Sequence, residues 1–133
     1  MNRETNINTI KQVYADFGAR NFKAVLDVLT DDIKWEPPLV PERPYNNLRT
    51  GKSEVEDWMK EMATDVTYTK EIPQAIYADS DVVIVKGFFA GMANATGKSF
   101  ESDFIHLWKF REDKICGYQA FWNTHGIVRY KKL

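Results

Sequence analysis

Residues Lys98 to Asn123 read KSFESDFIHLWKFREDKICGYQAFWN, and the fold turns on this stretch. Side chains of a strand alternate faces, so Phe104, His106, Trp108 and Phe110 share one side while Asp103, Ile105, Leu107 and Lys109 share the other. The polar pair Glu112-Asp113 separates this strand, Ser99 to Arg111, from a second aromatic strand, Lys114 to Trp122. One titratable imidazole on a wall of rings is what a small-molecule pocket requires. It is also what an ordinary core histidine looks like.

Upstream, the strand period continues: Thr67 to Ala78 and Val82 to Ala93 are joined at Asp79-Ser80-Asp81, and Asn94 to Gly97 leads into Ser99. Val82 to Val85 and Phe88-Phe89 are apolar on both sides, so one face is expected on helices and the other on a partner subunit. Before Val66 the spacing is helical. Ile7, Ile10, Val13, Tyr14 and Phe17 form a first helix stopped at Gly18. Asn21 is the candidate N-cap of a second helix, whose stripe is Phe22, Val25, Leu26 and Leu29 and which ends at Asp31-Asp32. Ile33 to Glu36 reads as a short strand cut off by Pro37-Pro38, since proline lacks the donor that a central strand needs. The loop from Pro37 to Gly51 also holds Pro41, Pro44 and Tyr45, which makes it a stiff candidate lid or rim. Ser53 and Glu56 are spaced as a capping box for a third helix that buries Val55, Trp58, Met59 and Met62. Helices first and an antiparallel meander after predicts an α+β fold.

At 133 residues the chain is expected to form a single domain spanning residues 1–133. A formal net charge of −1, with lysines and arginines scattered, gives no electrostatic footprint for nucleic acid. The polar start leads into an amphipathic segment, so neither a signal peptide nor a membrane span is expected and the default location is the cytoplasm. Cys116 is the sole cysteine, which rules out an internal disulfide and a cysteine zinc site. Two histidines without paired carboxylates at ligand spacing predict no metal, and no cofactor is expected. The 8 Phe, 6 Tyr and 4 Trp serve cores and ligand cavities equally well.

The order of these elements, with Asp31 to Pro37, Phe104 to Phe110, Lys114-Ile115 and Gln119 to Thr124, resembles the SnoaL-like polyketide cyclase and ketosteroid isomerase branch of the nuclear transport factor 2-like superfamily. The resemblance implies a cone: a curved, mixed or antiparallel sheet wrapped around three helices, with a deep apolar pocket and commonly a homodimer formed through the sheet. It places the isomerase base at Pro37, its tyrosine at Val13 and its protonated acid at His106, and none of the three is kept. Tyr14 and Glu36 lie one residue away, which on a strand reverses the face and on a helix turns it by about a hundred degrees. Cyclase relatives carry a late-strand histidine, matched by His106. Where many of them have Asp-Thr, this chain has Asn123-Thr124, and an amide exchanges no proton near neutral pH.

Within this frame His106 is the candidate catalytic acid/base, against the reading of a core histidine bonded to a carbonyl. Phe104, Trp108, Tyr118 and Trp122 are candidate ligand walls, with Ala120 on the same inward face. Tyr14 is the helix-one residue best placed to offer a hydroxyl, and Trp35 should point inward while Glu36 points out. Trp58 is either ligand contact or helix packing, and each buried indole needs a partner for its N–H. Asn123 would orient the ligand. Asp103 faces away from His106, so the two form no dyad. Three functions remain open: a cofactor-free isomerase, cyclase or hydrolase acting on an apolar carbonyl or cyclic compound, a binder of a small apolar or aromatic ligand, or a dimeric association module. The lack of a second acid/base group favours the binder.

Overall fold

The computed structural model describes residues 3–38, 43 and 45–122 of the chain. Its elements in order are α1 (Arg3–Gly18), α2 (Phe22–Asp27), β1 (Leu29–Glu36), β2 (Arg49–Thr50), α3 (Lys52–Asp65), β3 (Val66–Asp79), β4 (Val82–Ala93), β5 (Ser99–Arg111) and β6 (Lys114–Trp122). The strands make one mixed sheet in the order β2-β1-β6-β5-β4-β3. β3 to β6 form the antiparallel meander, β6 runs parallel to β1, and β1 is antiparallel to β2. The curved sheet is unclosed, and the helices pack on its concave face in the α+β cone that the sequence led us to expect.

Alternation works as read through β4, β5 and the second half of β6, while a register shift against β5 at Lys109–Phe110 puts both Ile115 and Tyr118 of β6 inside. Phe100, Ser102, Phe104, His106, Trp108 and Phe110 are buried on one face of β5, and Tyr118 and Ala120 face them from β6. Helix α3 buries the four residues expected of it.

Three local readings are corrected. Leu29 belongs to β1 and not to α2: it pairs with Ile115 of β6, and the α2 C-cap Val28 accepts the Ile115 amide at 2.9 Å. An apolar residue fits a helix stripe and a buried strand equally, and here the sheet wins. Asp31-Asp32 therefore lie inside the strand as exposed residues, while Asn21 does cap α2, its side chain accepting from the Ala24 amide at 3.3 Å. The Ser53/Glu56 capping box does not form. The N-cap lies two residues earlier than Ser53, at Gly51 with φ 90°, and Glu54 reaches back to the Thr50 amide at 3.0 Å.

The third correction is β3, where alternation breaks twice. Its register against β4 shifts between Tyr68 and Lys70 and again between Pro73 and Ala75. Each shift admits an extra residue and returns the following side chains to the other face. β3 is an edge strand, which is where a proline and bulges are tolerated. The β5–β6 turn is tight, with Glu112 and Asp113 both left-handed at φ 51° and 67°.

Candidate functional site

The concave face of β5 presents His106, 5% exposed, between Phe104 and Trp108. Phe104 stacks on the imidazole at 4.0 Å between centroids. From α1, Tyr14 brings its hydroxyl to 2.6 Å from His106 Nδ1, its ring nearly coplanar with the imidazole. Trp108 Nε1 donates to the same hydroxyl oxygen at 3.3 Å. An indole N–H can only donate, so the tyrosine oxygen accepts from Trp108. With the Tyr14 proton directed at Nδ1 the imidazole proton sits on Nε2, whereas a Nδ1–H would make the same hydroxyl oxygen the acceptor of both bonds.

Trp35, Trp58 and Tyr118 extend the wall, with Trp35 and Tyr118 at 4.0 Å and Trp108 and Tyr118 at 4.6 Å between centroids. Trp122 packs on Phe89 at 4.7 Å. The structure thus gathers Tyr14, Trp35, Trp58, His106, Trp108, Tyr118 and Trp122 around one hollow. Phe104 lies behind it as the ring on which His106 rests. Asn123 lies outside the described residues.

Two of the four indoles meet the expectation of a bonded N–H: Trp108 as above, and Trp58, which donates to Asn46 Oδ1 at 2.8 Å. Among the described residues, the N–H groups of Trp35 and Trp122 are buried without an acceptor, and both rings line the hollow.

Tyr14 also corrects the alignment implied by the resemblance. The hydroxyl reaching the late strand comes from Tyr14, not from position 13; Val13 and Tyr14 are both buried because α1 is clasped from two sides.

The hollow is tight. Its free volume is about 30 Å³, because the indoles and Tyr118 occupy most of the space that the resemblance assigns to a deep pocket. Beyond it, between the end of α1 and β3, lies a wider opening of about 130 Å³ that shares Tyr14, Phe17, Tyr68 and Glu71 with the hollow. An apolar cavity of about 150 Å³ accommodates benzene.

Glu71 was not a sequence candidate. The first register shift of β3 sets it opposite Phe89, on the concave side. Strict alternation from the inward-facing Tyr68 would have turned it outward, so the bulge hides the acid from a sequence reading. Burial pushes its carboxyl up to about 7. Burial pushes His106 down to about 3 and lifts the Tyr14 and Tyr118 phenols far above their ordinary range.

Arg43 is the second residue missed. It is 1% exposed, paired with Asp65 at 3.4 Å, and its guanidinium lies over Phe100 at 4.9 Å and Trp122 at 5.5 Å. In sequence it is one more charge in a proline-rich loop. Tyr45 donates to the same Asp65 at 2.7 Å, so the described part of that loop is pinned to the end of α3 beside the hollow. Asp103 is exposed on the opposite face of β5. Among the described residues, no three His, Cys, Asp or Glu side chains gather as a metal site, and no helix is long and apolar enough to cross a membrane.

A family model described as a SnoaL-like domain matches residues 10–118. Solved structures with the same fold include a nuclear transport factor 2-like protein of Burkholderia pseudomallei K96243, with 21% identity, a TM-score of 0.88 and 95% of this chain against 96% of that one. TerC, crystallised with polyporic acid, shows 20% identity and a TM-score of 0.87 over 97% and 99% of the two chains. A candidate polyketide cyclase of Xanthomonas campestris pv. campestris shows 14% identity and a TM-score of 0.86 over 98% of each chain. A search of curated proteins finds no match.

Proposed function

We propose, on the premise that this chain belongs to the SnoaL-like domain family, that it binds a small apolar or aromatic molecule and holds that molecule's carbonyl oxygen with the N–H of His106. The observation that carries this reading is the 2.6 Å hydrogen bond between Tyr14 and His106 inside the ring wall. In this reading Tyr14 donates to Nδ1, and Nε2–H is left to donate to the ligand. A ring whose protonation falls only near pH 3 is a feeble base at neutral pH, so the role of proton shuttle gives way to that of donor. A neutral imidazole that polarises a carbonyl is an established use of such a lowered basicity. The indole N–H groups of Trp35 and Trp122 supply two further donors in the same wall.

The size of the site selects the ligand. A hollow of about 30 Å³ opening into one of about 130 Å³ suits a compound of one or two rings, reaching His106 from the α1–β3 side. TerC, a protein of this fold, was crystallised with polyporic acid, and another is a candidate polyketide cyclase, which supports the ligand class.

The test is nitrogen-resolved NMR of the imidazole and indole groups with 2-tetralone, a two-ring ketone, as probe. The expected result is an Nε2–H tautomer at neutral pH, shifts at His106, Trp35 and Trp122 on addition, and binding weakened about tenfold in His106→Ala, the worth of one hydrogen bond. If the ketone leaves the imidazole untouched and the substitution changes stability alone, His106 is a core residue.

The convex face of the sheet supports a second proposal, association of two copies. Ile72, Tyr77, Ile105 and Phe121 are exposed there at 46%, 61%, 37% and 50%. A homodimer through this face leaves the hollow, on the opposite side, free for ligand.

A further inference from the structure

We propose that the neck between the hollow and the α1–β3 opening is a cation cage, in which Glu71 stands among Tyr14, Phe17 and Tyr68 to hold an organic ammonium group of the ligand. The inference rests on the binding reading above and adds to it a second recognition point and a ligand class. That class is a compound of one or two rings with a carbonyl at its inner end and a tertiary or quaternary amine at its outer end.

The residues common to the two spaces define the neck, and they are three aromatic rings and one carboxyl: Tyr14 and Phe17 from α1, Tyr68 and Glu71 from β3. Aromatic faces carry negative charge density, as a carboxylate does, and a set of rings around one acid is the chemistry that takes up an organic cation. The bulge in β3 decides the sign of the charge here. Tyr68 pairs with Gly91 and Glu71 with Phe89, so both look to the concave side, while Lys70 between them pairs with Ala90 and stays exposed at the outer rim. Strict alternation from Tyr68 would have set Lys70 inside and Glu71 outside. One extra residue in an edge strand thus exchanges a cation for an anion at the throat of the cavity.

Glu71 is partly buried, a position in which a counter-ion can meet a ligand on its way in. Among the described residues the ion pairs all lie elsewhere, so no lysine or arginine neutralises it. Arg20 and Lys70 line the same opening, but both are exposed, where water and salt screen their repulsion of an incoming cation. The neck also selects among amines. A primary ammonium brings three N–H donors to a throat with a single carboxylate, whereas an alkylated nitrogen presents methyl groups to the rings and its charge to Glu71.

The experiment uses the whole chain and three probes of similar shape and different charge: phenyltrimethylammonium, its neutral isostere tert-butylbenzene, and benzenesulfonate. NMR titration should find the cation bound at least about tenfold more tightly than the neutral probe, and the sulfonate more weakly than either. Glu71→Gln should abolish this preference while tert-butylbenzene binds as before, which also shows that the variant is folded. Tyr68→Leu should remove part of it. In the unsubstituted protein, carbon-13 titration of the Glu71 carboxyl should show its midpoint falling when phenyltrimethylammonium is bound, since a fixed positive charge beside it favours the carboxylate. The titratable and charged groups around Glu71 in that measurement are Tyr14, Arg20, Tyr68, Lys70, His106 and Tyr118. Equal affinity for cation and isostere, tighter binding of the sulfonate through Arg20 and Lys70, a preference indifferent to Glu71→Gln, or a Glu71 midpoint that the cation leaves in place overturns this proposal and leaves the binding reading standing. Failure of all three probes to bind overturns it too, and the binding reading falls with it only if 2-tetralone also leaves His106 untouched.

Discussion

Glu71 and His106 pull the pH dependence of folding in opposite directions. Between about 4.5, its ordinary value, and about 7, the Glu71 carboxyl is ionised in the unfolded chain and still protonated in the folded one, so stability falls as pH rises through that window. The penalty is complete above pH 7 and amounts to at most about 3 kcal/mol. His106 does the reverse. As pH drops from 6.5 toward 3 the unfolded chain takes up a proton that the buried ring refuses, and stability falls with pH. Glu71→Gln isolates the first effect. Urea unfolding should find this variant more stable than the parent at pH 8 and equal to it at pH 4. An equal difference at both values would mean that Glu71 titrates normally. His106 and its ring neighbours were legible in the sequence because β5 alternates without a break. The partner of His106 was not: Tyr14 is about three helical turns into α1, and its meeting with Nδ1 depends on how the helix is rolled on the sheet, which one-dimensional spacing leaves open.

Among the elements, β4 sets the floor on which the site rests. Its inward positions 87 and 91 are glycines. A Cβ at Gly87 would stand 2.3 Å from Phe104 Cζ and 2.5 Å from the Ile72 carbonyl oxygen, and one at Gly91 would stand 2.7 Å from the Thr67 oxygen. Because a backbone atom is involved at each, a side chain cannot simply step aside. Gly87→Ala should cost about 2 to 3 kcal/mol by overpacking and move the His106 resonances through Phe104, which lies on the imidazole. Unchanged stability together with unchanged resonances would show that β3 yields freely here. The strands from β4 to β6 were readable to their ends because both of their sheet neighbours enforce pairing. β3 was readable as a strand but not in its facing, since an edge strand has one neighbour and room to bulge. The α2–β1 border was misplaced for a related reason: Leu29 satisfies either period, and only the distant Ile115 decides between them.

At the scale of the molecule, the convex side of the sheet is the largest feature without a covering layer among the described residues. Its apolar residues stand in register across strands: Tyr77 beside Ile84 and Leu107, Ile105 beside Phe121, and Ile72 beside Phe88. Lys86 and Asp103 stand among these residues, so the face offers apolar clusters set off by charges, a composition that suits the association proposed above. Light scattering should give a mass of two chains, and Ile105→Lys combined with Phe121→Glu should give one chain with its His106 spectrum intact. A single-chain mass for the parent would discard the dimer. The parallel pairing of β1 with β6 has a different consequence, one in time. Synthesis delivers α1, α2 and β1 well before the neighbour that seats β1, the last of the described strands. Until then the early helices have no finished floor beneath them, and their greasy stripes are exposed to any passing chain. β6 acts as a keystone: until it arrives, the first-made elements lack the strand that locks β1 into the sheet.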